Sequence, residues 1–394
     1  WLTKLGILEY LSGGITAMFD MYMFRDLIAQ AAVELGFRTV IMNAANDFGG
    51  TPEEELAESE RFGKLDPLIS YQFGLHAEYT CQKSLLESFG EMIQTVKRPV
   101  YSHMNETRRE VDECVARYGM RPFELFETLG LFNYGGGGFH CVHVSEREME
   151  IIKARGLYAI TCPASNLKLA SGVAPIAEYL ARGVPVAIGT DGPASNNCLD
   201  MFREMFLVTG LQKLYHGADA LDAGKVLTMA CSTGAHAMGL PDCDALLLGK
   251  QADIVMLDLH MPNMQPENNL VKNVVYSGSK QNVALTMIAG RVLYEKNARA
   301  KAYMASTTKI MTALLAIEYG DLDALVPVPD AAVGVEGSNV YLARGESISL
   351  RDLLYGLMLV SGNDAAVTIA THIGGSVEDF AALMNTRAEE IGCT

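Results

Sequence analysis

Val100-Tyr-Ser-His-Met-Asn-Glu106 is an apolar run that turns polar as it ends, and Gly138-Phe-His-Cys-Val-His-Val144 has the same character. Comparable runs fall at residues 15–20, 38–43, 69–77, 158–166 and 184–191. Amphipathic stretches lie between them at 23–35, 81–95, 111–117, 146–155 and 174–182. Strand and helix alternating at this spacing predict a parallel sheet. Runs that are apolar on both faces suit strands covered by helices on both sides. His76, His103, Glu106, Asn166 and Asp191 stand at or just past the C-terminal ends of these runs. That is where a (β/α)8 barrel carries its reacting groups. The fold class expected is α/β, with seven barrel strands counted and an eighth expected to precede Trp1.

Composition bounds the rest. A chain of 394 residues predicts two or three domains. The net charge is −16 and there is no Lys/Arg cluster. This argues against a nucleic-acid or anionic-membrane partner, because both require a basic footprint. Eight cysteines are scattered without CxxC spacing, several in apolar runs. They read as buried free thiols in a reducing compartment. The opening Trp-Leu-Thr-Lys has no export-signal pattern, and no apolar run is long enough to span a membrane. The expected location is therefore cytoplasmic, and the lack of an initiating Met suggests a start inside a longer gene.

Past Asp191, residues 199–214 and 220–239 read as helices, and 252–257, 273–276 and 283–294 as strands of a small β appendage. The Gly135–Gly138 run reads as a flexible connection. After Asn297 the pattern changes to helices at 306–319, 350–359, 365–371 and 377–391. The expected domains are a barrel at 1–245, its β segment at 246–294 and a separate unit at 295–394, with the boundary near 295–301.

Imidazole and carboxylate donors suit a zinc-like ion, which must keep one position open for water. His103 and Asp191 are the candidate ligands. Glu106, three residues past His103, is placed to shuttle a proton, and His140 to orient the water or polarise a substrate. A lone histidine in an apolar run is more often a hydrogen-bonded structural residue. His143, His216, His236 and His260 are read that way.

Tyr101-Ser-His-Met-Asn-Glu-Thr107, Phe139-His-Cys-Val-His143, Thr161-Cys-Pro-Ala-Ser-Asn166 and Gly189-Thr-Asp-Gly192 resemble the amidohydrolase superfamily. The branch they resemble comprises S-adenosylhomocysteine/5′-methylthioadenosine deaminases and triazine chlorohydrolases. Residues 74–81 resemble that branch's substrate-contacting His loop, and residues 246–256 its C-terminal β segment. The resemblance covers roughly residues 1–294. It implies that His103 and Asp191 bind one divalent ion (zinc, with iron or manganese as alternatives). It further implies that Glu106 and His140 transfer protons, that Asp191 assists attack, and that His76 contacts an adenosine-like nucleoside undergoing hydrolytic deamination. The family's His-x-His strand has no counterpart before Ile15, which implies weakened metal affinity.

A second constellation follows. Ser306-Thr-Thr-Lys309 puts a hydroxyl and an amine one helical turn apart. A serine becomes a nucleophile when a neighbouring base takes its proton. Ser361-Gly-Asn363 adds a hydroxyl and an amide to relay protons and hold a substrate. Residues 304–314, 358–366 and 291–297 resemble the penicillin-binding D-alanyl-D-alanine carboxypeptidases, over roughly residues 291–394. The resemblance implies Ser306 as the acylated nucleophile, Lys309 as its base, and Ser361 and Asn363 as the second motif. A peptidoglycan peptide or β-lactam is the implied ligand, and the third motif, Lys-Thr-Gly, would lie beyond Thr394. Three readings follow: a nucleoside deaminase fused at 288–295 to part of a carboxypeptidase, the carboxypeptidase activity itself, or an inactive chimeric fragment.

Overall fold

The computed structural model describes residues 1–297 and 305–393, and the chain divides into two compact units at residues 298/299. The expected boundary at 295–301 therefore falls partly outside the described residues, as does residue 304 of the carboxypeptidase-like stretch.

In the first unit seven strands pair in parallel and in sequence order: β1 (Ala17–Met21), β2 (Arg38–Met42), β3 (Ile69–Ala77), β4 (Val100–Met104), β5 (Gly136–His140), β6 (Tyr158–Thr161) and β7 (Val186–Ile188). The sheet curls. In a flat sheet β1 and β4 would lie three strand spacings apart, about 14 Å. Instead the Phe19 ring centroid is 4.9 Å from that of Tyr101 on β4 and 5.6 Å from that of Phe139 on β5. These rings line the concave face with Met42, Ile160 and Ala187. Residues of opposite parity, such as Ile41, Val100, Ala159 and Val186, pack outward in the larger core beneath the helices. The strands are thus an α/β half-barrel, as the alternating pattern predicts, with β1 and β7 at its edges.

Several boundaries differ from expectation for identifiable reasons. The run 158–166 breaks after Thr161 because Pro163 opens a helix, Pro163–Lys168, at the position where a missing N–H costs nothing. The glycine run expected to be a flexible connection is mostly strand β5. A Cβ at Gly136 would sit 1.8 Å from the Val100 carbonyl oxygen, and one at Gly137 2.4 Å from that of Tyr158. The glycines there admit close backbone approach. Residues 273–276, expected to be a strand, belong to the helix Leu270–Tyr276, whose first turn is capped by the Asn269 side chain. So short an apolar run does not distinguish the two periods. Helices Leu2–Ser12 and Pro52–Phe62 were not anticipated. The second carries a Thr51/Glu54 capping box with Pro52 at its first position.

The β segment is a three-stranded antiparallel sheet of β8 (Ile254–Leu257), β9 (Val283–Ile288) and β10 (Arg291–Glu295), in the order β10-β9-β8. The stretch likened to a carboxypeptidase opening strand is thus β10, paired with β9. The buried Arg38 guanidinium grips Asp253 at 2.6 and 2.8 Å and ties this sheet to the start of β2.

The second unit has helices Thr308–Tyr319, Leu350–Leu359, Asn363–Gly374 and Val377–Glu390, with a small ladder of β11 (Leu325–Pro327) and β12 (Ser347–Ser349). Ala316, Val326, Leu350, Leu353 and Ile369 form its core. All eight cysteines are free; Cys81, Cys114, Cys141 and Cys162 are buried, while Cys231 and Cys393 are exposed. No helix among the described residues is long and apolar enough to cross a membrane.

Candidate active site

The C-terminal strand ends of the half-barrel gather the polar residues. His103 is the penultimate residue of β4, and its Nδ1 lies 2.5 Å from the His76 carbonyl oxygen. A carbonyl only accepts, so the ring proton sits on Nδ1 and Nε2 keeps its lone pair. Burial, reinforced by the neighbouring His140 and His76 rings, pushes the His103 pKa down to about 3. The imidazole is therefore neutral. The His76 and His140 ring centroids lie 5.0 and 5.4 Å from that of His103. His76 is the unpaired residue at a break in the β3–β4 register, its Nδ1 is 3.0 Å from Thr80 Oγ1, and burial lowers its pKa.

His140 closes β5 with φ of 68°, and Asn105 and Asp191 also hold positive φ, at 53° and 59°. Non-glycine residues rarely adopt this region, and such strain gathers at functional sites. His140 Nδ1 is 2.8 Å from Asn166 Oδ1, while its Nε2 is 3.8 Å from Glu106 Oε2. Glu106 Oε1 accepts a hydrogen bond of 2.9 Å from Ser171 Oγ. Its backbone N–H is held by Glu110 Oε2 at 2.8 Å, within the capping box of helix Arg108–Tyr118. Burial lifts Glu110 to about 7 against the pull of those backbone N–H groups.

Asp191 accepts from Ser165 Oγ at 2.5 Å and from the Gly192 N–H at 2.6 Å. Burial alone would raise its pKa; the bonds from serine hydroxyls and Gly192, with His140 nearby, outweigh it and hold the carboxylate below its usual range. His76, His103, Glu106, His140 and Asp191 thus share one end of the sheet. Ser165 and Ser171 had not been singled out. Their signal was position: small polar residues following a strand run.

A neutral imidazole with its Nδ1–H fixed by a carbonyl, beside an ionised carboxylate, fits the donor chemistry of a divalent cation. The set is partial. Among the described residues no group of three or more His, Cys, Asp or Glu side chains is arranged to hold an ion.

In the second unit the expected serine-lysine group is assembled. Ser306 lies in a 3-10 turn (Ala305–Thr307) just ahead of helix Thr308–Tyr319. Lys309 Nζ is 3.4 Å from Ser306 Oγ and 2.7 Å from Asn363 Oδ1, and Ser361 Oγ is 3.0 Å from Ser306 Oγ. The Asn363 amide also donates to the Glu336 carbonyl at 2.6 Å, and Ser361 holds a φ of 59°.

Comparison with known proteins follows the same division. Residues 271–394 match the model of the D-alanyl-D-alanine carboxypeptidases, and residues 1–293 that of the amidohydrolase family, so the matches overlap across helix Leu270–Tyr276, β9 and the start of β10. A 5-methylthioadenosine/S-adenosylhomocysteine deaminase of Dictyoglomus thermophilum is 37% identical over 302 residues, 75% of this chain and 71% of that protein. A 5′-deoxyadenosine deaminase of Methanothermobacter thermautotrophicus is 38% identical, covering 73% of this chain and 69% of that one. An adenosine deaminase of Xanthomonas campestris, solved with bound zinc, superposes with a TM-score of 0.69 at 35% identity, over 74% of this chain and 68% of that one. A triazine hydrolase variant at 23% identity and TM-score 0.68, covering 75% of this chain and 71% of its own, shares the fold. With residues 1–293 matched by its family model and relatives more than 30% identical over most of their own length, the chain belongs to the amidohydrolase family.

Proposed function

We propose that the first unit is a hydrolytic deaminase of adenosine-like nucleosides of the S-adenosylhomocysteine or methylthioadenosine type. The observation that carries this reading is the facing pair Glu106 Oε2 and His140 Nε2, 3.8 Å apart, at the same end of the sheet as His103 and Asp191. In the reaction, water adds to the ring carbon bearing the amino group, the C–N bond breaks and ammonia leaves. A divalent ion, zinc in our reading, supplies a water that is acidic near neutral pH when bound. His103 Nε2 and the Asp191 carboxylate are the donors this chain offers it. Glu106 carries a proton from the water side to the departing amine, and His140 Nε2 accepts a hydrogen bond from the attacking water and orients it. His76 contacts the nucleoside. Free thiols and the absence of a basic footprint favour a reducing cytoplasm and a small-molecule substrate. The functional segments are 1–245, 246–294 and 295–394.

The test is metal per chain together with ammonia release from adenosine-type nucleosides. Near one equivalent, lost in His103→Ala and Asp191→Ala, with ammonia released by the parent chain, is expected. A chain that neither retains metal nor releases ammonia refutes the deaminase reading and leaves the inactive-fragment reading standing.

The assembled Ser306, Lys309, Ser361 and Asn363 group favours a second reading for residues 295–394, acyl transfer from a D-alanyl-D-alanine peptide or a β-lactam. A β-lactam mass adduct on Ser306, absent in Ser306→Ala, is expected, and an adduct that persists in Ser306→Ala refutes it.

A further inference from the structure

One short segment, residues 163–172, reaches both members of the facing pair. Asn166, in helix Pro163–Lys168, is 1% exposed, and its Oδ1 meets His140 Nδ1 at 2.8 Å. Ser171, just past the helix, is also buried and donates to Glu106 Oε1 at 2.9 Å. The segment is itself pinned. The buried Glu204 accepts the Ala164 N–H at 3.0 Å, His143 Nε2 donates to the Ser171 carbonyl at 2.7 Å, and the Ser171 N–H returns to the Asn166 carbonyl at 2.8 Å.

We propose that Asn166 and Ser171 are positioning residues that set the proton-transfer pair, Asn166 by fixing the His140 tautomer and Ser171 by aiming Glu106. An amide oxygen only accepts, so its contact with Nδ1 puts the imidazole proton there and leaves the Nε2 lone pair toward Glu106. The Ser171 hydroxyl occupies Glu106 Oε1 and leaves Oε2 turned to His140. Two acceptors then face each other across 3.8 Å, an arrangement that receives and passes a proton. The Asn166 Nδ2 group has no hydrogen-bond partner in this buried position. Retaining an amide there at the cost of an unsatisfied donor fits a residue kept for its oxygen.

The proposal rests on the deaminase reading for its purpose, but the test of its Asn166 half has a readout independent of turnover. In the full chain carrying 15N-labelled histidine, the His140 ring, assigned by the signals lost in His140→Gln, is expected as the Nδ1–H tautomer. Asn166→Asp keeps the acceptor and should keep that tautomer, whereas Asn166→Ala should lose it at an unchanged thermal midpoint. Nε2–H in the parent chain, or Nδ1–H persisting in Asn166→Ala, overturns the proposal. If Asn166→Ala does not fold, the parent and Asn166→Asp spectra decide. For Ser171, Ser171→Ala should lower kcat about 10- to 100-fold with KM changed less than about threefold, and Ser171→Thr should restore most of it. An equal loss in the threonine variant, or a loss confined to KM, overturns the Ser171 half. A parent chain that releases no ammonia counts against the deaminase reading and overturns the Ser171 half with it, while the tautomer result for Asn166 stands without turnover.

Discussion

Glu55 should hold a proton at neutral pH, and replacing it with glutamine should flatten the pH dependence of stability. Glu55 lies on helix Pro52–Phe62, fully buried against β3, the strand that carries His76. The Tyr71 hydroxyl is 3.0 Å from Glu55 Oε2 and 3.1 Å from Glu58 Oε2. A phenol donates one proton, so two such contacts require a second proton from a carboxyl. Glu58 is engaged by Arg25 at 2.8 Å through both oxygens, which leaves Glu55 to carry it. Burial, opposed in part by the Tyr71 hydroxyl, lifts Glu55 from 4.5 to about 8.

The folded chain therefore binds a proton that the unfolded chain has released anywhere between those two values. This contribution is fully present below pH 4.5 and is lost as pH rises through 8. At pH 7 the unfolded carboxyl is ionised across roughly 2.5 units, which costs folding about 3 kcal/mol relative to a group that never ionises. At pH 5 the cost is under about 1 kcal/mol. Glu55→Gln keeps the shape and removes the ionisation. Its melting temperature should match the parent's near pH 5 and exceed it by about 6 °C at pH 7, taking about 2 °C per kcal/mol for a unit of this size. Calorimetry of the full chain, following the larger transition from pH 5 to pH 8.5, makes the comparison. Glu110 and Glu204, each lifted to about 7 by burial, act in the same direction, so only the difference between the two chains isolates Glu55. A glutamine variant that melts lower at pH 7 with the parent's pH slope would refute the reasoning, since Glu55 would then be ionised and stabilised by its partners.

Breaking the buried Arg38–Asp253 pair from one side should be costly. Arg38→Ala or Asp253→Ala should lose about 3–5 kcal/mol in denaturant unfolding, each leaving an unpaired buried charge, and a loss below about 1 kcal/mol would contradict the role given to the pair. Gly136→Ala should leave little soluble protein, because the new Cβ would meet the Val100 carbonyl at 1.8 Å and the residue holds φ of 121°; a soluble variant with parental stability by calorimetry would show that β4 and β5 can separate at that point. Lys309→Ala should slow β-lactam acylation of Ser306 by roughly 10²–10⁴-fold, the usual worth of a positioned base, with the mass adduct followed over time; an unchanged rate would mean that another group takes the Ser306 proton.

What the sequence made legible follows from how each residue is embedded. His103, Glu106, His140 and Asp191 each stand where an apolar run abruptly turns polar. Strand ends of a parallel sheet converge, so four such positions separated along the chain indicate one place in space. Unit two was legible for a different reason: Ser306 and Lys309 are three residues apart, and helical geometry alone brings them together. Other parts of the fold carry no comparable local mark. Helix Leu2–Ser12 exposes Leu2, Leu5 and Leu8 while burying Ile7 and Leu11, so its apolar residues surround the axis and give no helical period. Helix Pro52–Phe62 buries a glutamate, and its acidic run reads as a solvated loop until Tyr71 is seen against it. Arg38 and Asp253 are 215 residues apart, and either one alone is an ordinary surface charge. The same limit applied to Asn166 and Ser171. A strand reading that ran through Pro163 placed Asn166 at a strand end with no partner, and only the helix beginning at that proline turns its amide back onto His140. The groups proposed to react were readable because their chemistry is rare in apolar surroundings. The groups that aim them are common small polar residues, and their role arises from a turn in the backbone.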